Sequence, residues 1–143
     1  MQVIQSQLLI IPLTAVPGEK IYFEQDPRIS GSILKGIMIP NEPGEISDKF
    51  KYYNQLLAKP LVGGPKASPF FITLCNYKGE ELHKNLVPQS FIVSRNKGKI
   101  FKHFHNNIDL KKCYVQFNNL PYIPFPPQKQ RGILFNFLLQ RPD

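Results

Sequence analysis

Apolar positions along this chain fall in short runs, each closed by proline, glycine or asparagine. Val3–Leu13 is the first run, broken by Pro12 and followed by a Val16-Pro17-Gly18 turn. Lys20–Glu24 is the second, with Tyr22 on the face opposite Ile21 and Phe23. Ile33–Ile39 is the third; Leu34, Ile37 and Ile39 are its core candidates and Pro40 ends it. Phe70–Cys75 is the strongest strand signal. Asn76-Tyr77-Lys78-Gly79 follows it as a hairpin turn with glycine at the left-handed position, and Glu80–Lys84 returns. Asn85–Pro88 bends the chain and Ser90–Ser94 extends again. Arg95-Asn96-Lys97-Gly98 reads as a second tight turn, and Lys99–Phe104 as an alternating strand closed by a turn at Asn106-Asn107. Cys113, Val115 and Phe117 share one face of the next strand. A proline-rich crossover at 118–130 leads to the last strand, Arg131–Leu139. One segment, 46–58, breaks the period of two: Ile46, Phe50, Tyr53 and Leu57 draw a helical stripe that Ser47 or Asp48 would cap.

The pattern therefore predicts about nine or ten short strands and at most one short helix, an all-β sandwich or barrel. Composition sharpens this. Fourteen prolines in 143 residues is about twice the usual frequency of roughly 5%, and their scatter excludes a helical bundle. Hydrophobic residues at 42% supply one core, and charged residues at 20% are too few for a disordered tail. Residues 1–143 read as a single domain. The first apolar run has no basic residue before it and is broken at Pro12, which argues against a signal peptide. No apolar run is long enough for a membrane-spanning helix. The expectation is a soluble chain made in the cytoplasm.

Charge is unevenly spread. Residues 1–50 carry a net of −2 and residues 51–143 a net of +10. Lys84, Arg95, Lys97, Lys99, Lys102, Lys111 and Lys112 cluster against Asp109 alone. Such a field attracts polyanions, although lysines on strand edges also serve solubility.

Catalytic constellations are missing from the pattern. The carboxylates are dispersed, no phosphate-binding glycine loop is present, and the serines lack a nucleophile-elbow context. Cys75 and Cys113 sit in apolar strands without C-x-x-C spacing and read as buried free thiols. His103-Phe104-His105 puts two imidazoles on one strand face, and with Asp109 it resembles the first metal-binding motif of the cupins. It departs from that motif in its glycine spacing and in having Asp for Glu. No later motif supplies a third histidine, since His83 lies upstream.

A wider resemblance runs along the chain. It is carried by Ser32–Ile39, Phe70–Cys75, Lys78-Gly79-Glu80, Leu86-Val87-Pro88, Asn107–Val115 and Ile133–Phe137. In this order of features the chain resembles small single jelly-roll capsid proteins of tailless icosahedral phages of Bacteroidetes, lipid-containing ones among them. The resemblance implies a single jelly-roll sandwich of about eight antiparallel strands. It also implies a virion location and a penton or minor capsid role, with a homopentamer contacting the major capsid protein and a spike. No cofactor and no catalysis are implied. Tyr122, Ile123 and Phe125 would then be covered by a neighbouring subunit. Arg95, Lys97, Lys99 and Lys102 would face packaged nucleic acid, inner-membrane lipid or protein. Two other classes stay open: a sandwich that binds a glycan or protein through Tyr22, Tyr52, Tyr53 or Tyr122 in the absence of Trp, and a cupin-like metal enzyme built on His103 and His105.

Overall fold

The computed structural model describes residues 2–12, 16–23, 26–29, 31–41, 50–52, 54, 64, 68–93, 101–118 and 130–141. Ten strands run through them: β1 (Gln2–Ile11), β2 (Lys20–Tyr22), β3 (Ile33–Pro40), β4 (Phe50–Tyr52), β5 (Phe70–Cys75), β6 (Glu81–Leu86), β7 (Ile92–Val93), β8 (Lys102–Asp109), β9 (Tyr114–Phe117) and β10 (Gln130–Gln140). Short 3-10 turns at Pro27–Ile29, Pro88–Phe91 and Leu110–Lys112 complete the described elements.

Eight of the strands form the sandwich. One sheet runs β1-β10-β3-β8, the other β2-β9-β5-β6, and every pairing within these two orders is antiparallel. The connectivity is that of one long hairpin rolled up. β1 returns as β10, β2 as β9, β3 as β8 and β5 as β6, and rolling brings β10 beside β3 and β9 beside β5. This is a jelly roll.

The core lies between the inward faces. Ile133, Phe135 and Phe137 of β10, Leu34, Ile37 and Ile39 of β3, and Phe70, Ile72 and Leu74 of β5 are all fully buried. Phe23 sets its edge on both Phe135 and Phe137, each with centroids 5.1 Å apart. The three-residue step from Leu34 to Ile37 breaks strict alternation because Lys35 is an extra residue on β3 where it pairs with β10. Next to it, an added Cβ on Gly36 would meet the Cβ of Phe101 at 3.0 Å. Glycine there lets the start of β8 approach.

Local chemistry fixes the β5–β6 turn. The Asn76 side-chain oxygen accepts from the amides of Lys78 and Glu80, both at 3.0 Å. Gly79 takes a φ of 81°, the left-handed conformation expected of it.

Three expectations are corrected. The helix over 46–58 fails at Phe50–Tyr52, which is strand β4 and pairs in parallel with Gln130–Gly132, while Asn54 is helical; Ile46, Tyr53 and Leu57 lie outside the described residues. The stripe spacing carried no sign of this partner, some eighty residues distant. Asn106-Asn107 is not a turn but lies inside β8. Ser90 and Phe91 belong to the 3-10 turn begun by Pro88, so the extended segment begins only at Ile92; Ser94 lies outside the described residues. The turn at 95–98 and most of the crossover at 118–130 lie outside the described residues.

Asn54, fully buried, holds the corner where β3 leaves the sheet. Its side-chain oxygen accepts from the Leu134 amide, and its side-chain nitrogen donates to the carbonyls of Leu134 and Pro40, all at 2.9 Å. Asn54→Ala would strand three backbone groups and is expected to cost about 2 kcal/mol or more. Phe137→Ala should cost about 3–5 kcal/mol by opening a cavity. Urea denaturation midpoints check both, against Ser6→Ala, an exposed pair with Asn136 that should change stability by less than about 0.5 kcal/mol.

Candidate functional site

The rolled hairpin brings β6 and β8 together at one seam between the sheets. β8 carries four of the sequence candidates, Lys102, His103, His105 and Asp109. Between the pairs Gly36↔His103 and Leu34↔Ile108, β3 contributes one residue, Lys35, and β8 contributes four, 104–107. The surplus bulges outward, with Phe104 and Ile108 still buried and His103, His105, Asn106 and Asn107 exposed. His103 and His105 are thus both exposed on either side of the buried Phe104.

Asp109 does not join them. It lies beyond the bulge, and its carboxylate accepts the Lys111 amide at 3.2 Å, capping the 3-10 turn. Among the described residues no group of three or more His, Cys, Asp and Glu is placed to hold a metal ion. The third histidine arrives instead from β6. The His83 ring tilts against Phe104 with centroids 5.2 Å apart, and its Nε2 lies 3.3 Å from the Asn106 side-chain nitrogen. All three histidines of the chain therefore lie on or against β8. Nothing local in the sequence marks His83 for this place, because only the folding of β6 onto the seam brings it there.

Lys102 is exposed, and its Nζ lies 5.2 Å from the centre of the Phe91 ring. The half-buried Lys35 sits opposite the bulge. Arg95, Lys97 and Lys99, and the loop residues Tyr122, Ile123 and Phe125, lie outside the described residues.

On the far side of the sandwich, Tyr22 is 52% exposed and tilts against Tyr114 at 5.3 Å. Tyr114 is itself buried, donates to Glu81 at 2.9 Å and has Lys20 over its ring at 4.7 Å. Burial first, and then the Glu81 hydrogen bond, raises the Tyr114 pKa above the usual phenol value. A shallow cleft of about 310 Å³ opens beside the start of β1, lined by Val3, Ile4, Gln5, Asp26, Ile29 and Arg141.

The two cysteines are buried and unbridged. The Cys113 thiol accepts from the Cys75 amide at 3.4 Å and donates to the Asp109 carbonyl at 3.3 Å. Burial pushes its pKa up to about 12, which disfavours the thiolate a nucleophile needs.

Compared with known proteins, the chain matches no family model, no curated protein and no solved structure.

Two outcomes follow for the thiols. Neither cysteine should react with a thiol reagent at pH 8 in the folded state, and both should react in denaturant. Because the folded Cys113 pKa lies above that of a free thiol, the unfolded chain loses this proton first. Its contribution to stability is complete below about pH 9 and is lost as pH rises toward about 12. Cys113→Val removes that component, so the difference in stability between variant and parent, measured at pH 8 and pH 10, should shift in favour of the variant at the higher pH.

Proposed function

We propose that this chain is a structural virion protein, a capsid vertex (penton) or minor capsid subunit of an icosahedral phage, acting by self-assembly and not by catalysis. The observation that carries the reading is the jelly-roll strand order, β1-β10-β3-β8 facing β2-β9-β5-β6. The segments that carry the capsid resemblance fall on its parts. Ser32–Ile39 falls on β3, Phe70–Cys75 on β5, Lys78–Glu80 on the turn after it, Asn107–Val115 on β8 and β9, and Ile133–Phe137 on β10.

The surface supports association. β1 is ten residues long, carries no charged side chain, and among the described residues pairs only with β10. Ile4 and Ile10 on its outward face are 50% and 48% exposed. Edge strands of monomers are usually blunted by charge, proline or a bulge. β1 has none of these along its length. A cyclic assembly would cover such an edge with a different surface of the next copy.

Light scattering at two protein concentrations tests the reading. The expected native mass is about five times the 16.5 kDa chain, or growth into larger shells with concentration. Ile4→Glu together with Ile10→Glu should lower the native mass to that of one chain while leaving the thermal midpoint nearly unchanged, since both residues are exposed. A parent chain that stays monomeric at high concentration counts against self-assembly. It would promote the second reading, a glycan- or protein-binding sandwich, which the exposed Tyr22 ring beside Tyr114 favours and a glycan array would test.

A further inference from the structure

The β6–β8 seam carries more chemistry than a shell contact requires. From Lys84 to Ile108 the sequence contains no Asp or Glu. The carboxylates at its two ends are already engaged: Glu81 by Lys84 at 3.7 Å and the Tyr114 hydroxyl at 2.9 Å, and Asp109 by the Lys111 amide at 3.2 Å. Between them the β8 bulge leaves imidazole and amide side chains exposed, flanked by Lys35 and Lys102.

We infer that this ridge, formed by Lys102, His103, His105 and Asn106 with His83 beside it, binds single-stranded nucleic acid. Ammonium groups meet the phosphates, imidazole rings offer flat faces to unstacked bases, and the amides can bond base edges. An anionic bilayer would call for a different surface, with apolar side chains beside the cations to enter the interface. The exposed large apolar residues among those described, Ile4, Ile10, Val16, Tyr22 and Tyr77, all lie on other elements. A ridge of this width, projecting from one strand, suits a single strand that can bend around it better than a stiff duplex.

This partner rests on the shell-subunit reading for its biological sense, since a subunit facing the interior would meet packaged genome. Its test does not use assembly. Fluorescence anisotropy with a labelled oligothymidylate, at two salt concentrations, measures binding to the full chain. Affinity should fall with salt, with a log–log slope of about −0.7 for each phosphate neutralised. The triple variant Lys102→Ala, His103→Ala, His105→Ala should bind at least about tenfold more weakly. Lys102→Glu alone should also weaken binding, and a thermal melt checks that each variant is folded. Phosphatidylglycerol vesicles serve as the competing polyanion. The inference is overturned if the parent chain does not bind the oligonucleotide, if it binds vesicles instead, or if the folded variants bind as well as the parent. Native mass measured in the same buffer separates the two proposals. A pentamer without binding overturns only this one, and a monomer that binds overturns only self-assembly.

Discussion

The structure depends on satisfying the backbone of β10. This strand is eleven residues long and runs through the middle of its sheet, with side chains packed into the core on every second residue. Its amide and carbonyl groups cannot reach water without tearing the sheet, so each edge must be paired along its length. One edge is met by β1 in an unbroken register from Gln140 to Arg131. The other is met in relay: β3 takes Gln140 to Asn136, Asn54 takes Leu134, and β4 takes Gly132 to Gln130. β3 cannot continue, since Pro40 ends it and has no amide to give. The Asn54 amide group acts there as a spare peptide, donating and accepting where a strand residue would. That is why a polar side chain sits fully buried against an aromatic core.

The relay also explains which parts of the fold could be read from the sequence. β1, β3, β5, β9 and β10 each form a short apolar run that the core buries, and such runs are a local signal. The proline and glycine positions that end them act through their own backbone geometry. The segment at Phe50–Tyr52 is different. It is a strand only because β10 needs a partner after β3 departs, and that need is invisible in the spacing of Ile46, Phe50, Tyr53 and Leu57. Asn106-Asn107 misled for a similar reason. Asparagine pairs favour turns, but here the chain makes its excursion as a bulge and returns Ile108 to the core opposite Leu34.

The candidate residues divide along the same line. That His103 and His105 are exposed while Phe104 between them is buried follows from period two alone. That Asp109 would not join them follows from the bulge, which no local rule announces. His83 belongs to the other sheet and reaches β8 only through the order in which the hairpin rolls. The buried state of Cys113 is legible from its place in the apolar pattern that continues into β9. Its bond to the backbone of Cys75 was not, because it depends on how β5 and β9 are paired.

The two outer strands of the larger sheet have opposite characters. β1 is flat in register, long and uncharged. β8 is bulged and carries the exposed Lys102, His103, His105, Asn106 and Asn107. Bulges and charges are the usual devices that keep a sheet edge from pairing with another chain, and they are all on β8. An edge that is protected on one side only is open to growth on the other, so any association through the sheet is directed. In a closed ring the β1 edge of one copy cannot meet the β1 edge of the next, because that contact would close a pair after a single step. On the proposed reading it must meet another surface of its neighbour. The bulged β8 ridge is a poor strand partner for it; on the proposed reading it would stay outside the subunit contact and leave Lys102 exposed.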